Sequence, residues 1–181
     1  MTEHADDEER RRLRAVAHPL RLRMLSLLTG ADLSATEVAA ELDITQANAS
    51  YHLRTLLGAG LVEVASEERV RGGMAVRYRH PWERERRTAP DEDGSLMAVI
   101  LEELGRRNLH RDRAEQGHGT DAEVWLPQEA WDEVLEAMRE VSRTVHARAV
   151  PPRTEGAVPV NVTIVAFRMQ QSDRTAGRGR P

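Results

Sequence analysis

From Ser34 to Gly60 the sequence prescribes two helices and the turn between them, and the rest of the chain has to pack around that pair. Ser34 stands three residues before Glu37, the spacing at which a serine hydroxyl and a glutamate carboxylate satisfy backbone N–H groups at a helix start. Val38, Ala39 and Leu42 give the helix that follows its apolar stripe over two to three turns. Asp43 and Ile44 make a short turn, Thr45 caps a further helix running to about Leu57, and Gly58 and Gly60 mark its end.

Two capped helices about a short turn form a helix-turn-helix unit, and the flanking sequence supplies its surroundings. A helix runs through Arg10 to Ala17 behind an acidic, frayed start at residues 1 to 10. Pro19 interrupts it and opens another, with Leu20, Met24, Leu27 and Leu28 facing inward and Gly30 as its stop. Beyond Gly60 the period changes to two. Leu61 to Val64 and Met74 to Tyr78 read as the arms of a hairpin with arginines towards its tip near Gly72 and Gly73.

The remainder divides by composition. Residues 83 to 95 read as a linker or exposed loop, Leu96 to about Asn108 as an apolar helix, and Arg111 to Thr120 as a stretch without core signal. A second lobe follows: a strand at Glu123 to Leu126, then a helix opened by Pro127 with Trp131, Val134, Leu135, Met138, Val141 and Val145 at helical spacing. Pro151 and Pro152 end that helix, and Val158, Val160, Val162 and Ile164 alternate with polar residues towards Phe167 and Met169 as a final strand. Residues 171 to 181 read as a disordered Gly/Arg-rich tail.

Composition removes several functions. Without cysteine there is no disulfide, thiolate metal site or thiol nucleophile. No Ser/His/Asp grouping, glycine-rich phosphate loop, HExxH pair or placed pair of carboxylates marks an enzyme. There is neither a spanning apolar run nor a signal peptide, so the expectation is a soluble, cytoplasmic protein that needs no cofactor. All 26 basic residues are arginine, yet the net charge is −4, so any contact with nucleic acid has to come from a local patch.

That patch lies on the second capped helix. At 100° per residue Ala49, His52, Leu53 and Leu56 turn inward, leaving Ala47, Asn48, Tyr51, Arg54 and Thr55 outward with Ser50 at the edge. No acidic residue lies between Ile44 and Val62, which suits a phosphate-lined major groove where Asn and Gln pair with adenine and Arg with guanine or phosphate.

The stretch from Ala15 to Arg79 resembles the winged helix-turn-helix domain of the ArsR-type bacterial transcriptional regulators. The resemblance rests on Ala17, His18, Pro19, Leu20 and Arg21, on Glu37, Val38 and Ala39, on Ser50 to Leu56, and on Ala59, Gly60, Leu61 and Val62. It implies a sequence-specific DNA-binding homodimer, usually a repressor released by an effector. The expected architecture is α+β: a winged helix-turn-helix at residues 10–82, a linker and dimerisation helix at 83–120, a strand-helix-strand lobe at 121–170, and a tail.

The expected contacts to double-stranded DNA are Thr45, Gln46, Asn48, Ser50, Tyr51, His52 and Arg54 on the reading helix, with Gln46 and Asn48 reading bases. Arg69, Arg71, Arg77 and Arg79, in a stretch without acid, are expected to make the wing's contacts. Leu13, Val16, Met97, Ile100, Leu101 and Leu104 are expected to form the dimer face. The family's metal sensors use cysteines in the third helix or His/Asp pairs near a C-terminal helix. This third helix has no thiol, and His110, Asp112 and His118 lie in a charged segment that reads as a solvated loop. The C-terminal lobe is expected to supply a small-molecule effector pocket or added dimer surface. The alternative to operator binding is a winged-helix module that meets protein or RNA.

Overall fold

The computed structural model describes residues 10–70, 73–82 and 94–170. The frayed start, the hairpin tip with Arg71 and Gly72, most of the 83–95 loop and the 171–181 tail lie outside those residues.

Helix α1 (residues 10–16) ends where the Arg21 guanidinium donates to the Ala15 carbonyl and, at 3.0 Å, to that of Arg14. This side chain from the next helix satisfies carbonyls that α1 leaves open at its C-terminus. Helix α2 (Pro19–Thr29) starts on Pro19 as expected, and the His18 ring caps it by accepting from the Leu20 N–H at 3.2 Å. Strand β1 (Leu33–Ser34) follows, then α3 (Ala35–Leu42), α4 (Gln46–Gly58), β2 (Glu63–Val70), β3 (Gly73–Arg79), α5 (Ser95–Asn108) and α6 (Gln128–Arg148).

The capping box of α3 forms as the spacing requires: Glu37 N–H donates to the Ser34 hydroxyl and Ser34 N–H to the Glu37 carboxylate at 2.7 Å. Asp43, in the left-handed region at φ 55°, closes the helix and turns the chain towards α4. Thr45 caps α4 by accepting from Asn48 N–H at 3.2 Å. Met24, Leu28, Val38, Leu53 and Leu56 are fully buried at the junction of α2, α3 and α4, with Val62 at the entry to the hairpin. At the far end of β3 the His80 backbone N–H donates to Leu28 O at 3.0 Å, and its ring N–H to Leu61 O at 2.7 Å.

The sheet is antiparallel in the order β1-β3-β2. Strand β1 escapes a sequence reading because Ser34 both ends that strand and caps α3. The described architecture is α+β and winged, as expected.

The C-terminal expectation is half corrected. Helix α6 forms between Pro127 and the Pro151–Pro152 pair, but neither Glu123–Leu126 nor 158–169 is a strand, and no residue of α6 is fully buried. Alternation supplies the side-chain pattern of a strand; a ladder also needs a neighbouring backbone, and none of the described residues pairs alongside. This region touches the domain at a few points. Arg107 donates to Asn161 at 3.1 Å, Arg153 pairs with Glu41 at 3.1 Å, and the Trp82 and His146 rings stack at 5.4 Å. Gly30 faces the Val150 backbone so closely that a β-carbon there would lie 2.7 Å from its carbonyl oxygen.

Candidate nucleic-acid interface

Helix α4 presents one face to the core and one to solvent along the line its sequence predicts. Ala49, His52, Leu53 and Leu56 are buried; Gln46, Ala47, Asn48, Tyr51 and Arg54 are exposed; Ser50 and Thr55 are intermediate. The Thr45 hydroxyl is occupied as the cap yet remains at the surface. The outward face is rigid at its base, since the cap, the left-handed turn and the buried stripe all fix α4 against α3. It carries an amide pair, a phenol and a guanidinium, the groups that meet base edges and phosphates.

His52 is a correction. At 7% exposure it is no surface contact: its ring sits 4.8 Å from that of His18, with Tyr51 edge-on at 5.1 Å. Burial, with the nearby His18 and Arg21 charges, holds its pKa below the ordinary histidine value, so the ring is neutral near pH 7. Burial and Arg21 lower His18 likewise, outweighing the opposing pull of the His18 backbone hydrogen bond and of Glu102. The pair joins the start of α2 to α4 as packing.

In the wing the arginines meet acidic partners that the sequence does not show. The run from Arg69 to Arg79 holds no acid, but the antiparallel register brings an acidic strand against it. Arg79 pairs with Glu63 at 2.6 Å, and Arg77 with Glu37 at 2.8 Å and Glu68 at 3.9 Å, while the Arg77 Nε–H donates to Asp32 O at 3.1 Å. Arg77 therefore holds the wing to the domain, and Arg79 ties the two wing strands together at their base. Arg69 is exposed close to the tip, and Arg71 lies outside the described residues.

The expected dimer residues divide in two. Val16 packs on the core, and Leu13, Met97 and Ile100 are half-buried within the subunit, where α5 lies on α2. Leu101, at 60% exposure, and Leu104 remain outward, one turn apart on α5. Sequence reading missed Glu103 between them in the chain: it is buried and bound by Arg106 at 2.8 Å and Arg107 at 3.6 Å. Only the run of arginines one turn later hinted at it.

A capped helix pair with a two-stranded wing behind it defines the class as a winged helix-turn-helix domain. Residues 16–65 match the family of helix-turn-helix domains, on the same stretch as the ArsR-type resemblance. Among solved structures the chain is similar to a crystallised fragment of a possible transcriptional regulatory protein from Mycobacterium bovis, at 25% identity over 56% of this chain and 92% of that one, TM-score 0.36. It is also similar to the homodimeric winged helix-turn-helix DNA-binding domain of a possible ArsR-family transcriptional regulator from Mycobacterium bovis, solved by NMR (22% identity, 65% and 94% coverage, TM-score 0.38). An ArsR-like transcriptional regulator from a Rhodococcus species gives 22% identity, 80% and 98% coverage and TM-score 0.36. No curated protein matches the sequence. Among the described residues no helix is long and apolar enough to cross a membrane.

Proposed function

We propose that the protein is a sequence-specific DNA-binding transcriptional regulator, a repressor that acts as a homodimer on a two-fold operator without catalysing a reaction. The observation that carries this reading is the outward face of α4, where Gln46, Asn48, Tyr51 and Arg54 stand exposed on a doubly capped, acid-free helix. Such a helix enters the major groove with its N-terminal residues on base edges, so Gln46 and Asn48 read adenine while Arg54 meets guanine or phosphate. Arg69 and Arg71 near the wing tip add contacts to flanking phosphates.

One reading helix covers a half-site, and a two-fold pair sets two of them about 34 Å apart, one turn of DNA. The exposed Leu101 and Leu104 supply a self-complementary apolar contact for that pair. Bound there, the dimer represses by occluding the promoter. An effector that changed the spacing of the two α4 helices would release it.

Selection of genomic fragments by the purified protein at about 0.15 M salt with excess competitor, read by sequencing, tests the proposal. A shared inverted repeat among the recovered fragments supports it. Recovery without sequence bias sinks it and leaves a winged helix that meets protein or RNA.

A further inference from the structure

We infer that residues 158–165 are one strand of an intermolecular sheet, paired antiparallel with the same segment of a second copy of this chain. The inference extends the homodimer proposed above by adding a contact outside the winged domain.

Val158, Val160, Val162, Thr163, Ile164 and Val165 are β-branched, the side chains that fit a pleated surface best and a helix less well. Yet none of residues 158–169 makes a backbone–backbone hydrogen bond among the described residues. Val158 is 76% exposed, and Val160, Val162 and Ile164 are exposed with it. A row of open N–H and C=O groups beside apolar side chains is a template for strand addition, and a soluble protein either covers or charges such an edge. This edge carries no charge from Ala157 to Phe167. Among the described residues the other C-terminal segment expected as a strand, Glu123–Leu126, is not paired with it.

The segment is complementary to itself. In an antiparallel pair centred on Val162, Val160 lies opposite Ile164 and Val162 opposite its own mate, so one face is entirely apolar. On the other face Asn161 lies opposite Thr163, two polar side chains already at mutual reach within one chain. Slipping the register by one residue would place valines against the polar pair, so the pattern selects its own alignment. Pro159, which lacks an N–H, falls near the end of the ladder where its loss costs least.

Charge on α6 points to the same occupant. Arg168 bonds to Gln128, so the segment runs back along α6, and a two-fold axis that makes the strands antiparallel makes the α6 helices antiparallel too. The first half of α6 carries Glu129, Asp132, Glu133 and Glu136, and the second half carries Arg139, Arg143 and Arg148 with Glu140 among them; Arg139 pairs with Glu136, and Arg143 with Glu136 and Glu140, within the helix, which leaves a strongly acidic first half and a weakly basic second half. Antiparallel copies set the acidic half of each helix beside the basic half of the other, whereas parallel copies would oppose like charges. Asn161, at the centre of the segment, is bound by Arg107 in the last turn of α5, so the new contact continues from the Leu101 and Leu104 face.

Because the chain has no cysteine, Val162→Cys in the full-length protein introduces a single thiol at the two-fold position. Mild oxidation is expected to double the 20.4 kDa chain mass on a non-reducing gel, while Thr163→Cys, on the other face and out of register with its mate, cross-links at least ten-fold more slowly. Sedimentation of both variants before oxidation checks that each remains folded and dimeric. A wild type that is dimeric while Val162→Cys stays uncross-linked overturns this inference and leaves the α5 dimer standing. Equal cross-linking of both thiols also overturns it, because contact would then be unspecific. Selective cross-linking of a protein that selects no DNA sequence supports the strand pair and removes the operator reading instead. Slow hydrogen exchange at 160–164 in a monomeric protein would assign the partner to the chain itself and also overturn it.

Discussion

The Arg77 guanidinium reaches from strand β3 to Glu37, donating at 2.8 Å to one carboxylate oxygen while the other holds the Ser34 N–H and hydroxyl, each at 2.7 Å. One carboxylate thus closes the cap of α3 and fastens the wing to it. Partial burial pushes the Glu37 carboxyl up, but the Ser34 and Arg77 hydrogen bonds outweigh burial and hold it below its ordinary value of 4.5. A carboxyl with a depressed pKa stabilises the fold above the unfolded-state value, and that stability is lost as pH falls through the folded one. Glu37→Ala should cost about 1 kcal/mol, the scale of a lost cap, at pH 7. Below about pH 4 the difference from wild type should shrink. Urea unfolding at both pH values checks this, and a gap that does not narrow in acid would show that the carboxylate charge is not what stabilises the cap.

The buried His18 and His52 rings set an opposite dependence. Both pKa values are lowered from 6.5, chiefly by burial, so the unfolded chain takes up protons more readily than the folded one. Stability is full above pH 6.5 and falls as pH drops below it, until the folded rings titrate as well. Urea midpoints should therefore decline between pH 7.5 and 5.5, well before carboxylates protonate. His52→Leu, which fills similar space without a titrating ring, should flatten the decline. An equally steep profile in that variant would move the effect elsewhere.

These contacts show what could be read in the sequence and what could not. The two faces of α4, the Ser34–Glu37 box and the Thr45 cap follow from spacings of three and four residues, so a single strand of sequence contains them. Arg77 and Arg79 were legible as basic residues and illegible as partners of Glu37 and Glu63, because the β1–β3 register that sets Arg77 opposite Ser34 and the β2–β3 register that sets Arg79 opposite Glu63 join segments apart in the sequence. His52 lay at the predicted inward edge, and the structure settles it as packing because His18 comes from another helix to cover it. The alternation at 158–169 is present as read, but whether alternating residues become a strand depends on a neighbouring backbone, and none of the described residues supplies one.

On the proposed reading face, Asn48→Ala and Arg54→Ala should each weaken operator binding by about 1–3 kcal/mol, roughly five- to 150-fold. Their effects differ in kind. Loss of a base contact at Asn48 relaxes specificity at one position and leaves the salt slope unchanged, whereas loss of a phosphate contact at Arg54 lowers that slope by about one. Fluorescence anisotropy on operator and scrambled duplexes at several salt concentrations separates the two. Unchanged affinity in both variants would remove α4 as the reader.

In the wing the ion pairs sort arginines that look alike in sequence. Arg69→Ala should lower affinity for any duplex and reduce the salt slope by about one, with no change in thermal midpoint. Arg79→Ala should leave the salt slope intact, because its charge is already answered by Glu63 at 2.6 Å. The same anisotropy titrations test both variants, and a reduced slope for Arg79→Ala would mean that DNA draws it away from Glu63.

Oligomeric state and DNA affinity should fail together at α5. Leu101 and Leu104 face outward and contribute little to the subunit's core, so Leu101→Glu with Leu104→Glu should leave the helical circular dichroism of the domain close to wild type. In an isologous interface each substitution is met by its own mate, so like charges collect about the axis and the dimer dissociates. Operator binding should then fall steeply, since each half-site alone gives up the second set of contacts and the effective concentration that joins them. Sedimentation velocity beside anisotropy on a half-site and a full operator distinguishes the causes. A monomer with unchanged half-site affinity confirms that α5 joins two readers, whereas a folded dimer would assign dimerisation to another surface, the 158–165 strand first among them.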